Sequence, residues 1–357
     1  MTTSKNDFYY DIRRDVEKFP DAWNLNVYSG RTTGKTYGSL CYCLDEHIKF
    51  IFLKRTKEDV ELLLSGNSDF SPFKAINRDR GINVQAYKVY KSYIGGFAFA
   101  DAEGKRQEGD WLGYIVDLGA VARVKGFDMS DCDIMIFDEF IPQPWERVNP
   151  KEGRAILSLY MTVSRDREMR GRPALQLWCL ANPDTINNPW FREMKLTDNA
   201  VDLEISGGEY KYLEDRGILL HKIQMSEEFT DAMKSMKIMQ AMKGTEWADS
   251  TLGEGFIFDD FSNIGKRSLK GFKCQLELIY RRDHWYIYQN DAGEWYCCRS
   301  RATPALGMFD LSKDNDQRKF YAEYQIDLRQ ECTDGRMMFQ SYEMYNIIVN
   351  FRKYFKL

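Results

Sequence analysis

Residues 25–36 read Leu-Asn-Val-Tyr-Ser-Gly-Arg-Thr-Thr-Gly-Lys-Thr, and this stretch decides the predicted fold. Residues 25–28 are typical of a short apolar strand, residues 29–36 form a glycine-bearing loop, and residues 37–46 have the composition of a helix. A strand, a loop that ends in Gly-Lys-Thr and a helix make up the pattern of a phosphate-binding P-loop. An anion is favoured there because successive backbone N–H groups and a helix N-terminus point at one place.

The loop predicts a nucleoside triphosphate bound with Mg²⁺. Lys35 is expected to reach the β- and γ-phosphates, and the Thr36 hydroxyl to ligate Mg²⁺. The loop departs from the usual pattern at Ser29, where a glycine is expected. The residues expected to contact ATP are Gly30, Arg31, Thr32, Thr33, Gly34, Lys35 and Thr36. The alternative is an ordinary glycine turn between a strand and a helix, which would not need lysine and threonine at these positions.

The composition indicates a globular protein of more than one domain. The chain has 357 residues, of which 43% are hydrophobic and 29% charged, so it is long and apolar enough to bury a sizeable core. A net charge of -4 argues against nucleic-acid binding by the chain as a whole but leaves room for a local basic channel. We expect a cytoplasmic protein, because residues 1–7 are polar and no apolar run approaches the length of a membrane span. The eight cysteines lack metal-ligand spacing and predict free, buried thiols.

A second motif lies about a hundred residues after the loop. Residues 134–139 read Ile-Met-Ile-Phe-Asp-Glu, an apolar strand followed by two acids, which is typical of a Walker B segment. Asp138 is expected to hold Mg²⁺, and Glu139 to orient and deprotonate the attacking water. The alternative is a solvated strand end. An adjacent glutamate also separates hydrolysing motors from most small-molecule kinases.

Basic and polar residues at other strand and helix ends are candidates for contacts with phosphate. Arginines crowd the region after the helix predicted over 152–164, and they predict either an arginine finger or a solvated basic face. They are Arg165, Arg167, Arg170 and Arg172. Asn182, at a strand tip, is a candidate sensor of the γ-phosphate or a cap before Pro183. Three residues where a strand opens into a loop are candidates for contact with a phosphate backbone, with a solvated cluster at a helix N-terminus as the alternative: Lys54, Arg55 and Lys57. Lys125 carries the same ambiguity.

The order of predicted elements divides the chain into three parts. Residues 1–205 alternate strands with helices, which predicts a three-layer α/β domain with a mostly parallel sheet. Residues 206–254 are expected to be a helical linker that contains a methionine-rich run over 227–242. Residues 255–357 predict a smaller α+β domain, with a three-stranded meander over 275–299 and a helix over 338–354.

These motifs resemble those of the DNA-packaging ATPases of phi29-like bacteriophages. The likeness rests on residues 29–36, 136–141 and 162–168, with support from 179–182 and 188–191. It implies a P-loop ATPase of the additional-strand, conserved-glutamate type, followed by an RNase H-like domain that has lost its nuclease site. It also implies an ATP-driven motor that threads double-stranded DNA into a preformed capsid. Such motors act as a ring, usually a pentamer, on the portal with a packaging RNA, in the host cytoplasm and transiently on the prohead.

The resemblance also assigns roles by position. Arg31 corresponds to the arginine inside the family's P-loop, and Arg165 to the finger supplied to the neighbouring subunit. Lys125 corresponds to a second basic residue at that interface, and Lys57 to a pore-facing lysine that grips DNA. The C-terminal domain has no convincing acidic cluster, so we expect it to dock RNA or portal rather than cleave. Two other functions stay open: a P-loop kinase of a small molecule or nucleotide, and a non-catalytic NTP-binding scaffold.

Overall fold

The computed structural model describes residues 9–91, 94–119, 127–143, 146, 148–252, 255–256, 259–280 and 282–355. The chain divides into two compact units. The first contains Met1–Leu196 and Ser206–Phe258, and the second contains Thr197–Ile205 and Asp259–Leu357. The short segment Thr197–Ile205, which lies within the sequence range expected for the ATPase domain, therefore belongs to the second unit.

The elements up to residue 252 alternate strands with helices. The strands are β1 Asn24–Tyr28, β2 Phe50–Lys54, β3 Val84–Tyr90, β4 Ile94–Phe99, β5 Gly113–Asp117, β6 Ile134–Asp138, β7 Gln176–Ala181, β8 Tyr210–Leu213 and β9 Ile218–Lys222. The helices are α1 Arg13–Lys18, α2 Lys35–Asp45, α3 Lys57–Leu63, α4 Lys74–Arg80, α5 Glu152–Ser164, α6 Pro189–Glu193, α7 Thr197–Ser206, α8 Glu227–Lys234, α9 Lys237–Ala241 and α10 Glu246–Leu252.

The described strands of the first unit form one nine-stranded sheet in the order β3-β4-β5-β2-β6-β7-β1-β9-β8. The run β5-β2-β6-β7-β1-β9 is parallel throughout, while β3, β4 and β8 pair antiparallel with their neighbours. The α/β fold with a mostly parallel sheet is thus confirmed. Strand β7 lies between β1 and β6, so an additional strand separates the P-loop strand from the strand that carries Asp138. Strands β8 and β9 extend this sheet, so part of the expected linker lies in it.

The central strands read as continuous apolar runs because both faces of the sheet are covered. Strand β1 is buried along its whole length but carries two asparagines. Asn24 donates to the carbonyl of Leu177 (3.0 Å), and Asn26 donates to the Asn24 side chain (2.8 Å) and to the Leu219 carbonyl (3.1 Å). Trp190 Nε1 in turn donates to Asn26 Oδ1 (2.7 Å). These bonds satisfy polar groups that would cost about 1–3 kcal/mol each if buried without partners.

The second unit is α+β. Its strands are β10 Phe272–Tyr280, β11 Asp283–Asn290, β12 Trp295–Cys298, β13 Gly307–Asp310 and β14 Met337–Phe339. Its remaining helices are α11 Asp314–Phe320, α12 Ile326–Thr333, α13 Tyr342–Val349 and α14 Phe351–Tyr354, with a π-helical turn at Tyr321–Gln325 between α11 and α12. The described strands form a sheet in the order β13-β10-β11-β12-β14. Burial alternates along β10, so one of its faces packs on a core that includes Trp285, Phe320 and Ile347.

Two sequence predictions differ from the structure. The helix predicted over 338–354 begins only at Tyr342, because Met337–Phe339 pair with β12 as strand β14. The methionine-rich run over 227–242 is two short helices, since Met236 adopts an extended conformation between α8 and α9. All eight cysteines are free and buried, as predicted. Among the described residues, no helix has the length and apolar character needed to cross a bilayer.

Candidate functional site

The loop between β1 and α2 has the backbone that its glycines permit. Gly34 caps α2 in the left-handed region (φ 88°), and the non-glycine Thr32 also has a positive φ of 65°. A side chain at Gly34 would meet the Cβ of Tyr9 at 3.3 Å. Helix α2 begins at Lys35, directly after this glycine. The N–H groups of its first turn are thus available to an anion.

Ser29, which replaces the usual glycine, forms hydrogen bonds with other residues of the loop. Its Oγ lies 2.8 Å from Thr33 Oγ1 and donates to the Gly30 carbonyl (3.2 Å). The same oxygen accepts a hydrogen bond from Lys35 Nζ at 2.9 Å. The departure from the usual pattern thus ties the start of the loop to its end.

The Lys35 amine is buried within its own loop. It donates to the carbonyls of Ser29 (3.2 Å) and Gly30 (3.1 Å), to Thr33 Oγ1 (3.2 Å) and to Asn182 Oδ1 (3.3 Å). Burial lowers the pKa of Lys35 to about 7, opposed by the nearby Asp138 carboxylate and assisted by the Arg31 guanidinium. A bound phosphate would place a negative charge beside this buried ammonium.

The oxygens expected to hold Mg²⁺ are brought together. Thr36 Oγ1 donates to Asp138 Oδ1 at 2.9 Å, although the two residues are about a hundred positions apart in the chain. Magnesium prefers one or two protein oxygens together with substrate phosphates and water. A hydroxyl and a carboxylate at the end of a phosphate-binding loop fit that requirement. Within the described part of the chain, no group of three or more His, Cys, Asp or Glu side chains is placed to hold a metal.

Glu139 follows β6 in a conformation that is unusual for its residue type. Its φ is 60°, in the left-handed region, and its side chain is exposed. Such a backbone costs of order 1–3 kcal/mol and persists only where the surroundings hold it. Arg55 donates to the carbonyl of Glu139 (2.8 Å), and the N–H of Phe140 donates to the Leu180 carbonyl (3.2 Å). The neighbouring strands thereby hold the peptide that aims this carboxylate.

Arg55 and Lys54 contact acidic side chains of the same chain. The sequence had made them candidates for contact with DNA. Arg55 donates to Glu152 (2.9 Å) and Glu146 (3.0 Å), and its side chain is only 13% exposed. Lys54 Nζ lies 3.9 Å from Asp138 Oδ2. The reason is the sheet order: β2 is next to β6, so residues at and just after the end of β2 meet the acids at and after the end of β6. Burial raises the pKa of Glu152, and Arg55 opposes that rise.

Gln143 and Asp184 lie beside the loop, although the sequence patterns did not single them out. Arg31 donates to Gln143 Oε1 (3.0 Å), and Gln143 Nε2 donates to Asp184 Oδ2 (2.8 Å). Burial raises the pKa of Asp184, which Arg31 and Gln143 oppose. Both residues come shortly after buried strands, as Asp138 and Asn182 do, and that position was the signal that could have found them.

Arg165 lies at the opposite end of α5 from Glu152. It caps the helix with a φ of 48°, its side chain is 42% exposed, and its guanidinium pairs with Asp128 at 3.3 Å. The other arginines of this cluster stabilise the fold locally. Arg167 is buried and binds the carbonyls of Cys132 and Pro173, Arg170 pairs with Asp166, and Arg172 pairs with Asp133.

The remaining basic candidates are Lys57 and Lys125. Lys57 is the first residue of α3, whose N-terminus is capped by a capping box between Thr56 and Asp59. Its side chain is 39% exposed and pairs with Glu61 at 2.9 Å. Lys125, expected at the interface between subunits, lies outside the described residues.

The fold and the loop define a class: the first unit has the P-loop NTPase fold, with an additional strand between β1 and β6. Within that class, the chain belongs to the podovirus DNA encapsidation proteins (Gp16), whose family model matches residues 8–315. It is therefore a DNA-packaging protein of the phi29-like kind.

Individual relatives agree with this assignment. The chain is 27% identical over 263 residues to a DNA packaging protein of Bacillus phage B103, which covers 71% of this chain and 70% of that protein. It is 24% identical over 260 residues to the DNA packaging protein of Bacillus phage phi29, covering 71% and 68% of the two chains.

Solved structures share the whole fold. The bacteriophage Phi-29 viral genome packaging motor assembly has a chain that superposes with a TM-score of 0.65 at 18% identity, over 97% of this chain and 99% of that one. The Phi-28 gp11 DNA packaging motor gives a TM-score of 0.60 at 18% identity, over 99% of both chains. At this level of identity the likeness concerns the fold.

Proposed function

We propose that this protein is a Mg²⁺-dependent ATPase that drives double-stranded viral DNA into a preformed capsid. The observation that carries the proposal is the convergence of Lys35, Thr36, Asp138 and Glu139 at one edge of the sheet. Membership of the DNA encapsidation family supplies the substrate. In this proposal the first unit is the motor, and the second docks on the portal or on a packaging RNA.

The residues at this edge divide the chemistry between them. Thr36 and Asp138 would hold Mg²⁺, which would neutralise negative charge on the phosphates. Lys35 binds the β- and γ-phosphates, and Asn182, which already contacts the Lys35 amine at 3.3 Å, senses the γ-phosphate. Glu139 orients the attacking water and accepts its proton. Arg31, held by Gln143, adds positive charge beside the loop.

The position of Arg165 supports hydrolysis at an interface between subunits. Helix α5 has 13 residues and rises about 1.5 Å per residue, so Arg165 lies roughly 20 Å from Glu152. Glu152 is joined through Arg55 to the carbonyl of Glu139, so Arg165 is far from its own loop. We propose that it stabilises the γ-phosphoryl group of the next subunit in a ring, which the resemblance indicates is a pentamer.

DNA contact is assigned to Lys57 rather than to Arg55 or Lys54. Lys57 keeps an exposed side chain at the start of α3, whereas the other two are directed to the acids that follow β6. Binding to phosphates rather than to base edges makes translocation independent of sequence and sensitive to salt. The proposal places the protein in the host cytoplasm and, during packaging, on the prohead.

The test is steady-state ATP hydrolysis by the purified full chain at low salt, with and without linear double-stranded DNA. We expect Mg²⁺-dependent hydrolysis that several unrelated DNA sequences stimulate equally. Transfer of the γ-phosphate to an acceptor other than water would favour a kinase. Binding of ATP with no turnover at any protein concentration would contradict the ATPase and favour a scaffold.

A further inference from the structure

Gln143 lies in the loop that follows β6 and contacts Arg31 of the P-loop. Its side-chain oxygen accepts a hydrogen bond from the Arg31 guanidinium at 3.0 Å, although the two residues are 112 positions apart in the chain. The residues directly before it, Ile141 and Pro142, are buried, and the proline ring fixes the φ angle of its own backbone. The Gln143 side chain is therefore carried by a segment that packing holds in place.

Asp184 determines which way the Gln143 amide points. Gln143 Nε2 donates to Asp184 Oδ2 at 2.8 Å, and an ionised carboxylate can only accept. The guanidinium of Arg31, on the other side of the amide, can only donate. These two neighbours together assign the orientation of the amide, because the reverse orientation would place a donor against a donor and an acceptor against an acceptor.

An amide holds the guanidinium without cancelling its charge. Burial lowers the pKa of Lys35 to about 7, the Asp138 carboxylate opposes that shift, and the positive charge of Arg31 adds to it. Arg31 and Lys35 therefore lie close enough to repel each other, and an anion beside them is attracted to both. A carboxylate at position 143 would neutralise Arg31, whereas the Gln143 amide leaves its charge available to a phosphate.

The contact with Gln143 also restricts the Arg31 side chain before any ligand binds. Arg31 is exposed, and an exposed arginine samples many rotamers that it loses when it is fixed on a ligand. A side chain that is already held close to its bound position loses less conformational entropy on binding, which raises affinity. The hydrogen bond at 3.0 Å is therefore expected to favour binding of a phosphate by ordering the arginine in advance.

We propose that Gln143 is a positioning residue that holds Arg31 ready for the triphosphate, and that Asp184 fixes the orientation of the Gln143 amide. This inference rests on the proposed function, since Arg31 belongs to the phosphate-binding loop. Gln143 acts on the nucleotide only through Arg31. Its contribution to binding therefore exists only while the arginine is present, which separates positioning from a general effect on the stability of the loop.

The test is a double-mutant cycle in the full chain, with affinity for ATP and Mg²⁺ measured by calorimetry. Gln143→Leu removes both hydrogen bonds and should weaken binding about 3- to 10-fold, because Arg31 is no longer ordered in advance. Arg31→Ala should weaken binding about 10- to 100-fold, since it removes the charge itself. In the Arg31→Ala background, Gln143→Leu should change the affinity by less than about twofold.

Two further variants complete the cycle. Gln143→Met keeps the length of the side chain without its hydrogen bonds and should give the same loss as Gln143→Leu. Gln330→Leu is the matched control, because Gln330 makes the same kind of bond to Asp334 (2.9 Å) on the surface of the second unit, and it should bind ATP like the parent.

Two outcomes would overturn the inference and leave the ATPase intact. One is parental affinity in both Gln143 variants, with thermal unfolding showing folded protein. The other is the same fold loss from Gln143→Leu with and without Arg31, which would mean that Gln143 acts on the loop by another route. A parent chain that neither binds nor hydrolyses ATP would overturn the inference together with the proposed function.

Discussion

The two edges of the main sheet use their charged residues differently. At the carboxyl ends of the strands, Lys35, Arg55 and Asp138 bond to nearby residues of the same chain and are largely withdrawn from solvent. At the amino end of β6, Arg165 caps α5, pairs only loosely with Asp128 and remains 42% exposed. At the first edge the charged side chains come together, and at the second edge a cation is exposed to solvent.

Under the proposed function, this difference means that a single copy would hold most of one site and part of another. The groups that we propose to bind phosphate and activate water lie at the ends of β1, β2, β6 and β7 of the same chain. The proposed arginine finger cannot be drawn from the same edge, because α5 carries it to the far side. In the proposed ring, changes at the two edges would therefore separate what a subunit does alone from what it does with its neighbour.

The largest expected effect is at the exposed edge. Arg165→Ala should lower kcat for ATP about 1,000-fold or more, the usual scale for an arginine finger. Mixing Arg165→Ala with Lys35→Ala subunits should restore part of the activity, because each then supplies what the other lacks. Arg170→Ala, an exposed arginine of the same turn, is the control and should stay active. Failure to recover hydrolysis at every mixing ratio would contradict action in trans.

Next comes the carboxylate at the convergent edge. Glu139→Gln should lower kcat about 100- to 10,000-fold, since it removes the general base while keeping the shape of the side chain. Nucleotide affinity, measured by calorimetry, should remain within a few-fold of the parent. Glu193→Gln, on α6 and paired with Arg154, provides a control for loss of a carboxylate. Parental turnover in Glu139→Gln would rule out the role in water activation.

A pH titration probes the buried amine at the same edge. The pKa of Lys35 is about 7 in the free protein, and a bound phosphate favours the ammonium and raises it. Affinity should therefore be greatest below that pKa and fall as the pH rises through it, by up to about tenfold per unit. Calorimetry between pH 7.5 and 9 measures this, with proton uptake on binding. Lys35→Arg cannot titrate there, so its affinity should stay flat; a flat parent would contradict the prediction.

The smallest expected effect concerns DNA. Lys57→Ala should weaken binding to every sequence by a similar few-fold factor and lower the slope of log affinity against log salt by about 1. Fluorescence anisotropy at three salt concentrations measures the slope. Lys105→Ala, an exposed lysine paired with Glu103 on a turn, is the matched control. A preserved slope in Lys57→Ala would remove this residue from the DNA contact.

Much of the site was predictable because it follows strands. The loop over 29–36 and the acids at 138–139 come at the ends of apolar runs, and helix α5 was predicted with the bounds it has, 152–164. In a parallel sheet the carboxyl ends of neighbouring strands meet at one edge whatever their separation in sequence. Local patterns were therefore sufficient to place these residues together.

The partners of individual side chains were not predictable in the same way. Arg55 looked like a surface cation at the start of a helix, yet it binds Glu152 and the carbonyl of Glu139. Asp15 on α1 and His221 on β9 are 206 positions apart in the chain and meet only in the folded protein. The strand β14 was mistaken for helix because its apolar residues are too few to show a period.

The amino-acid sequence by itself determined the class of the protein: strand, loop and helix at 25–46, and the paired acids that follow an apolar strand. These signals are local, so they survive without knowledge of the sheet. Only the tertiary structure decided which charges face inward and which face outward. Strand order brought β2 beside β6 and so turned Arg55 towards Glu139, while the length of α5 carried Arg165 away from it. Such choices depend on contacts between distant segments, which no short stretch of sequence contains.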